Sequence, residues 1–461
     1  MKTLVDPANS LAGGLAAIRT RFQVPEDFPP AVLAAAEIAA TRVPDAHADR
    51  TDRHFVTLDP AGATDLDQAF AIEAAGADML LHYAIADVAW FVDDGDPVDA
   101  EAWRRGTTLY LPDGKARLYP AVLSEGAASL LPDGPRPAVI FTIRVAPDGA
   151  VQLDGAERAL IRSRSKLAYD SVGDADLPVG FDKLTNRLQQ AEKRRGAARV
   201  DPPEQEVAVN ADGSFTLMFR PRLASEERNA ALSLATNIAI ADMLREHHTG
   251  LFRVMAEPDE HAVARLRQTA VAFGLNWSGA EPLAAFEARL DSADPKQAAF
   301  MLAVRRAGQG ASYQPFREEA VPWHAAVAAS YAHATAPLRR LADRYVIRAT
   351  LAVVNGQSVP EKVTAAFEEL PAVMARADAI AGQIDRAVID LAEAAMLQGR
   401  EGDTFAAIVT DVDDRGARIQ LCDFPVVSRV PIRGAEPGQL VNVRLASAEV
   451  EHQRISFEPA G

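Results

Sequence analysis

The stretch "TLDPAGATDLDQAF", Thr57–Phe70, sets three carboxylates, Asp59, Asp65 and Asp67, close together, with the amide of Gln68 directly after them. Leu66 separates the last two acids. In an extended segment, positions i and i+2 share a face, so Asp65 and Asp67 point one way while Leu66 turns into the core. Asp59 ends a strand and starts a turn with Pro60, and the small residues of "AGAT" let the loop fold back. Three carboxylates then converge, and their mutual repulsion calls for cations among them. Hard oxygen ligands with open positions for water and phosphate suit magnesium or manganese. The spacing is not that of a calcium EF-hand loop. Taken alone, a surface turn rich in aspartate explains the stretch equally well.

Outward from this loop the chain reads as an α+β protein. Residues 1 to about 50 are alanine-rich and helical, with "VPEDFPP" as a breaker. Short apolar or alternating runs follow, "QAFAIEA", "MLLHYAIADV", "TTLYLP" and "AVIFTIRV", read as strands. "QEVAVNADGSFTLMFRP" reads as a hairpin turning at "NADG". Long helices are expected at 225–248, 259–273, 281–308 (broken at Pro295), 337–355 and 360–400. The last segment returns to strands of the length and turn chemistry of a small Greek-key barrel of the OB type. The expected organisation is a helical region 1–50, a mixed α+β region 51–400 and a barrel 401–461.

With 461 residues the chain can bury a large core, and a net charge of −16 excludes a general polyanion binder. A nucleic-acid partner would need a local basic channel. Candidates are "IRSRSK" at 161–166, "KRR" at 193–195 and the arginines between Arg339 and Arg348, each of which could also be a solvated face. No secretory signal and no bilayer-length apolar run is read, so no membrane is expected. The single cysteine, Cys422, reads as a buried strand thiol, which fits a reducing cytoplasm. His247 and His248 are adjacent on a helix and lack metal-ligand spacing.

Four separated stretches decide between the readings of the acidic loop. "TLDPAGATDLDQA" is followed by "LHYAIADVAWFVDDGDPVDAEAWRRGTTLYLP", then "LYPAVLSEGAASLLPDGPRPA", then "YAHATAPLRRLADRYVIR". In this order they resemble the RNB catalytic domain of the ribonuclease II / ribonuclease R family, over roughly residues 50 to 400. The final barrel sits where that family carries an OB-fold RNA-binding domain. The resemblance implies a metal-dependent, processive 3′-to-5′ exoribonuclease. Its partner would be single-stranded RNA with a free 3′ end, its products nucleoside 5′-monophosphates, and it would act as a monomer. Asp59, Asp65, Asp67 and Gln68 match the positions around the family's metals, implying one or two Mg2+ or Mn2+ ions. Gln68 stands where the family has a further aspartate, which would weaken one site. Asp87 also matches a family acid or is a structural acceptor.

"ATAPLRR" reads as a helix start with Thr335 as cap and Pro337 in the first turn, placing Arg339 near the positive end of the helix dipole. The resemblance gives Arg339 the scissile phosphate, and Asp65, Asp67 and Arg339 the catalytic roles. Arg340, Arg344 and Arg348 recur every four residues as one stripe. Arg340 and Arg344 are carried as RNA contacts, with Arg344 equally readable as a solvated side chain, the reading preferred for Arg348. Asp343 could pair with Arg339. Tyr110 and Tyr169 match tyrosines that grip RNA, and each could instead be a packing tyrosine. Asp385 falls on a late-helix acid of the family. Departures from the pattern fall on Val200, on Ala230 and Ala231 (with Glu226 and Glu227 one turn earlier), and on Trp323–Ala326. The cold-shock domains that precede the catalytic domain in most members have no room here, and the first fifty residues are read as a cap. A degenerate member that binds RNA without cutting it is the alternative.

Overall fold

The computed structural model describes residues 4–5, 10–197, 204–209, 215–220, 222–291, 294–308, 310–413 and 415–460. A seven-stranded mixed sheet organises the larger part. Its spatial order is Ser163–Ala168, Phe55–Asp59, Gln68–Ala75, Asp78–Ala86, Arg136–Val145, Val151–Ile161 and Ala48–Asp49. The inner strands pair antiparallel, and the two outer strands run parallel to their neighbours. Asp78–Ala86 and Arg136–Val145 are buried almost throughout because helices cover them, which is why they read as continuous apolar runs. The helix Ala224–Glu246 lies across these strands. The helix Leu341–Val354 packs between it and the 37-residue helix Glu361–Leu397.

Two helix boundaries differ from the sequence reading. The helix expected at 337–355 starts only at Leu341, and Ala336–Arg340 forms a single turn before it. Thr335 does not cap it, because its hydroxyl is taken by Ser233 at 2.9 Å and by Asn237 at 3.2 Å. The helix expected at 281–308 is two helices, Leu283–Glu287 and Pro295–Ala307. Pro295 opens the second rather than interrupting one, with Asp294 accepting from the amides of Lys296 and Gln297. The hairpin strands Glu204–Val209 and Phe215–Arg220 pair as expected, and its "NADG" turn lies outside the described residues. Cys422 is exposed just past the strand Gly416–Leu421, which corrects the buried-thiol reading.

The C-terminal strands form a five-stranded antiparallel sheet whose outer strands, Val427–Val430 and Arg454–Pro459, curl toward each other into a nearly closed barrel. A second core joins this barrel to the end of the long helix and to the N-terminal helix Ser10–Arg21, through Leu11, Leu15, Ile18, Leu391 and Phe405. Among the described residues no helix is long and apolar enough to cross a membrane.

Candidate functional site

Three segments meet at one end of the sheet. The first is the acidic loop. Asp59 closes its strand beside Ala168 of the edge strand, and its carbonyl accepts from the Tyr169 amide at 3.2 Å. The loop is pinned from both sides: Lys166 Nζ donates to the Ala61 carbonyl at 2.8 Å, and Ser129 Oγ donates to the Thr64 carbonyl at 2.7 Å. The Leu66 amide and carbonyl bond to Ser129 and Leu130, so the segment runs extended there and Leu66 is buried, as its alternation predicts.

The second segment is the turn Ala336–Arg340. The Leu338 amide donates to Asp67 Oδ1 at 2.7 Å, and Arg339 Nε stands 3.8 Å from Asp67 Oδ2 with its side chain 43% exposed. Arg339 therefore reaches the site from a turn ahead of the helix and not from inside its first turn. The third segment is the hairpin Leu109–Leu111 and Gly114–Ala116. Thr107 Oγ1 and the Thr108 amide donate to the Arg339 carbonyl at 2.8 and 3.0 Å, so the strand bearing Tyr110 and the arginine turn share one frame. Tyr110 is half exposed, with its hydroxyl 3.4 Å from Asp65 Oδ2.

The electrostatics single out two acids. Burial pushes the Asp59 carboxyl up to about 7, and Asp65 adds to this against the opposing Arg339 and Lys166. Burial likewise pushes Asp67 up to about 8, against Arg339 and the Leu338 amide. Burial and the nearby Asp65 raise the Tyr110 hydroxyl. Tyr169 is pushed up to about 12, first by burial and then by Asp59, while its hydroxyl accepts from Asn229 Nδ2 at 2.9 Å.

Not every expected site residue joins this group. Asp65 is bound by the ammonium of Lys115 at 2.7 Å, and Gln68 Oε1 accepts from the Tyr83 hydroxyl. Among the described residues no group of three His, Cys, Asp or Glu side chains is arranged to hold an ion by itself. The acids of the loop left without a close cation are the partly buried Asp59 and the buried Asp67. Magnesium is suited to one or two carboxylates completed by water and substrate phosphate.

The arginine stripe turns inward. Arg340 pairs with Asp343 at 2.9 Å, and Asp343 also accepts from the Ala336 amide. Arg344 is 1% exposed and bonds Asp99 and the Tyr345 hydroxyl. Arg348 pairs with Asp94. Arg344 is thereby corrected from an RNA contact to an interior support, while Arg340, 18% exposed, is held by Asp343. Asp343 serves Arg340 and not Arg339. Asp87 is buried, hydrogen-bonded to His47 at 3.0 Å and ion-paired with Arg158 at 2.8 Å.

Asp385 lies on the exposed face of the long helix. Together with Tyr110, Gln205, Arg305, Arg386 and Arg418 it lines a cleft of about 670 Å³ between that helix, the hairpin and the barrel. Glu226 folds back onto the Leu223 amide at 2.8 Å and raises Tyr169, while Ala230 and Ala231 bring no charge. Val200 lies outside the described residues, and Trp323 is exposed. Sequence reasoning missed Lys115, Glu125, Tyr83 and Asn229. Only Asn229 had a local signal, being a polar residue inside an apolar helix next to the expected glutamate positions.

Comparisons with known proteins bear on the family and the fold. The RNB domain profile matches residues 48–356, and the profile of the RNase II-type exonuclease C-terminal S1 domain matches residues 403–460. Ribonuclease R of Aquifex aeolicus is 27% identical, over 95% of this chain and 69% of its own length. Other curated relatives, a Lactococcus lactis ribonuclease R and a Cronobacter sakazakii exoribonuclease 2, are spanned for 52% and 62% of their lengths. Mycoplasma genitalium RNase R, solved with ribose-methylated single-stranded RNA, superposes with a TM-score of 0.87 at 17% identity, covering 98% of this chain and 78% of that one. Yeast Ssd1, described as a pseudonuclease, superposes at 0.66 with 16% identity, covering 95% and 57%. With the RNB profile spanning more than half of the sequence and the barrel profile following it, this chain belongs to the RNB family.

Proposed function

We propose that the chain is a divalent-metal-dependent exoribonuclease that removes nucleotides from the 3′ end of single-stranded RNA, processively, as nucleoside 5′-monophosphates. The observation that carries this reading is the pair Asp59 and Asp67. Asp67 is buried and Asp59 only partly so, with the half-exposed guanidinium of Arg339 beside them and an exposed tyrosine at the rim. Carboxyls raised this far by their surroundings cluster at functional centres. A magnesium or manganese ion held by Asp59 and Asp67 would supply Lewis-acid polarisation of the phosphate and a lowered pKa for attacking water.

The chain's own groups do the rest. Arg339 faces the charge that builds on the phosphate, from a turn whose backbone is fixed by Asp67, Thr107 and Thr108. Tyr110 offers a ring face to a base, which grips a strand without reading sequence. Tyr169, fixed by Asn229, stands near Asp59. The cleft past Tyr110 toward Asp385 and the barrel gives the strand a path. The reading includes a monomer acting in the cytoplasm on free 3′ ends.

The test is product analysis on a 3′-tailed oligoribonucleotide with magnesium or manganese. The wild type is expected to release mononucleotides, and Asp67→Asn to stop the release while RNA binding persists. A matched DNA strand in parallel tests the choice of RNA. One observation favours a second reading, RNA binding without cleavage: Gln68 brings no charge and is occupied by Tyr83. Binding with no mononucleotide release from the wild type would establish it.

A further inference from the structure

The hairpin beside the acidic loop delivers a cation of its own. Lys115 Nζ lies 2.7 Å from Asp65 Oδ1 and 2.6 Å from Glu125 Oε1. Glu125 is held in place by Arg117 at 3.0 Å. Tyr110 and Lys115 are directly opposite each other in the hairpin, so they stand on one face of it. The Tyr110 hydroxyl approaches the other Asp65 oxygen at 3.4 Å. Both oxygens of Asp65 are thus engaged by the hairpin, one by a full positive charge. Asp59, by contrast, makes no ion pair among the described residues, and Asp67 has Arg339 only at 3.8 Å. Two divalent ions at a nuclease centre sit about 4 Å apart and share carboxylates. An ammonium in contact with Asp65 occupies the ground the second ion would need and repels it.

We propose that Lys115 is a built-in counter-cation of the acidic loop: it takes the place on Asp65 that a second divalent ion would use, so the centre binds one divalent ion, on Asp59 and Asp67. This rests on the reading above only in placing an ion on those two acids. Lys115 acts through Asp65 and is a positioning residue. It differs from a metal in being permanent, so the centre carries part of its positive charge before any ion arrives.

The test counts Mn2+ bound to the full chain, by electron paramagnetic resonance of the free ion, with no RNA present. The wild type is expected to take one Mn2+, Lys115→Gln two, and Lys115→Arg one. The double variant Lys115→Gln with Asp65→Asn should return to one, locating the gained ion on Asp65. Equal counts in the wild type and Lys115→Gln overturn the proposal. So does a count of two in the wild type, which decides the matter even where Lys115→Gln fails to fold. Cleavage of tailed RNA, measured beside the count, separates the two ideas. No cleavage with the expected counts removes the nuclease reading and leaves this one. Cleavage by a wild type holding two ions does the reverse.

Discussion

Arg339 and Arg344 lie five positions apart and do opposite work. Arg339 is partly open to solvent and loosely paired, so Arg339→Ala should leave the melting temperature nearly unchanged while lowering kcat about 100-fold, the scale of losing one donor to a developing negative charge. Arg344 is sealed against Asp99 and Tyr345, so Arg344→Ala should lower stability by about 3–5 kcal/mol by stranding Asp99. Denaturant titration checks the second, and RNA affinity of the folded fraction should not move. Tyr110→Ala should weaken binding of a single strand by about 10-fold, the scale of one base–ring stack, as read by fluorescence anisotropy. The sequence alone ranked Arg344 beside Arg340 as an RNA contact because a four-residue spacing tells that side chains share a face and not which way that face looks. The acids that consume Arg344 and Arg348, Asp99 and Asp94, are some 250 positions away, beyond any local pattern, and only Arg340 has its acid, Asp343, nearby in sequence. Lys115 was illegible for the same reason, its partner Asp65 lying on a different segment. The acidic loop itself was legible because its strand end, turn and alternation are local.

Among the elements, the long helix Glu361–Leu397 carries a tie that is sensitive to pH. Its Glu393 is buried, with Oε1 accepting from Gln205 Nε2 at 2.8 Å and from the Val427 amide at 3.1 Å, so it joins helix, hairpin and barrel. Burial raises its carboxyl to about 7, against these two hydrogen bonds; nearby Asp390 adds to the rise and Arg386 opposes it. The folded state then holds a proton that the unfolded chain, titrating near 4.5, has lost. The contribution is full below about 4.5 and declines as pH rises through 7, by at most about 3 kcal/mol. Glu393→Gln keeps an accepting oxygen and removes the titration, so its melting temperature should be flatter than that of the wild type between pH 4.5 and 7. Calorimetry across that window checks it. Helix existence and the barrel strands were legible from periodicity and turn chemistry. The helix starts at Leu341 and Pro295 were not, because Thr335 and Pro295 each carry two meanings that only tertiary contacts separate.

For the whole molecule, a net charge of −16 means that few phosphates can be neutralised at once. Single-strand affinity should fall with salt at a log–log slope of about −2 to −3, at roughly 0.7 per phosphate contact. A slope steeper than about −5 in a salt series would reveal a broad basic surface instead. The core that joins the barrel to the long helix also takes in the N-terminal helix, and Arg19 of that helix forks onto Asp113 at 2.8 and 3.0 Å, at the bend of the hairpin. The amino-terminal segment is therefore a brace on the arm that carries Lys115. Shaving it off by limited proteolysis would strip Leu11, Leu15 and Ile18 from that core as well as slacken the arm, so melting temperature and manganese uptake should change together.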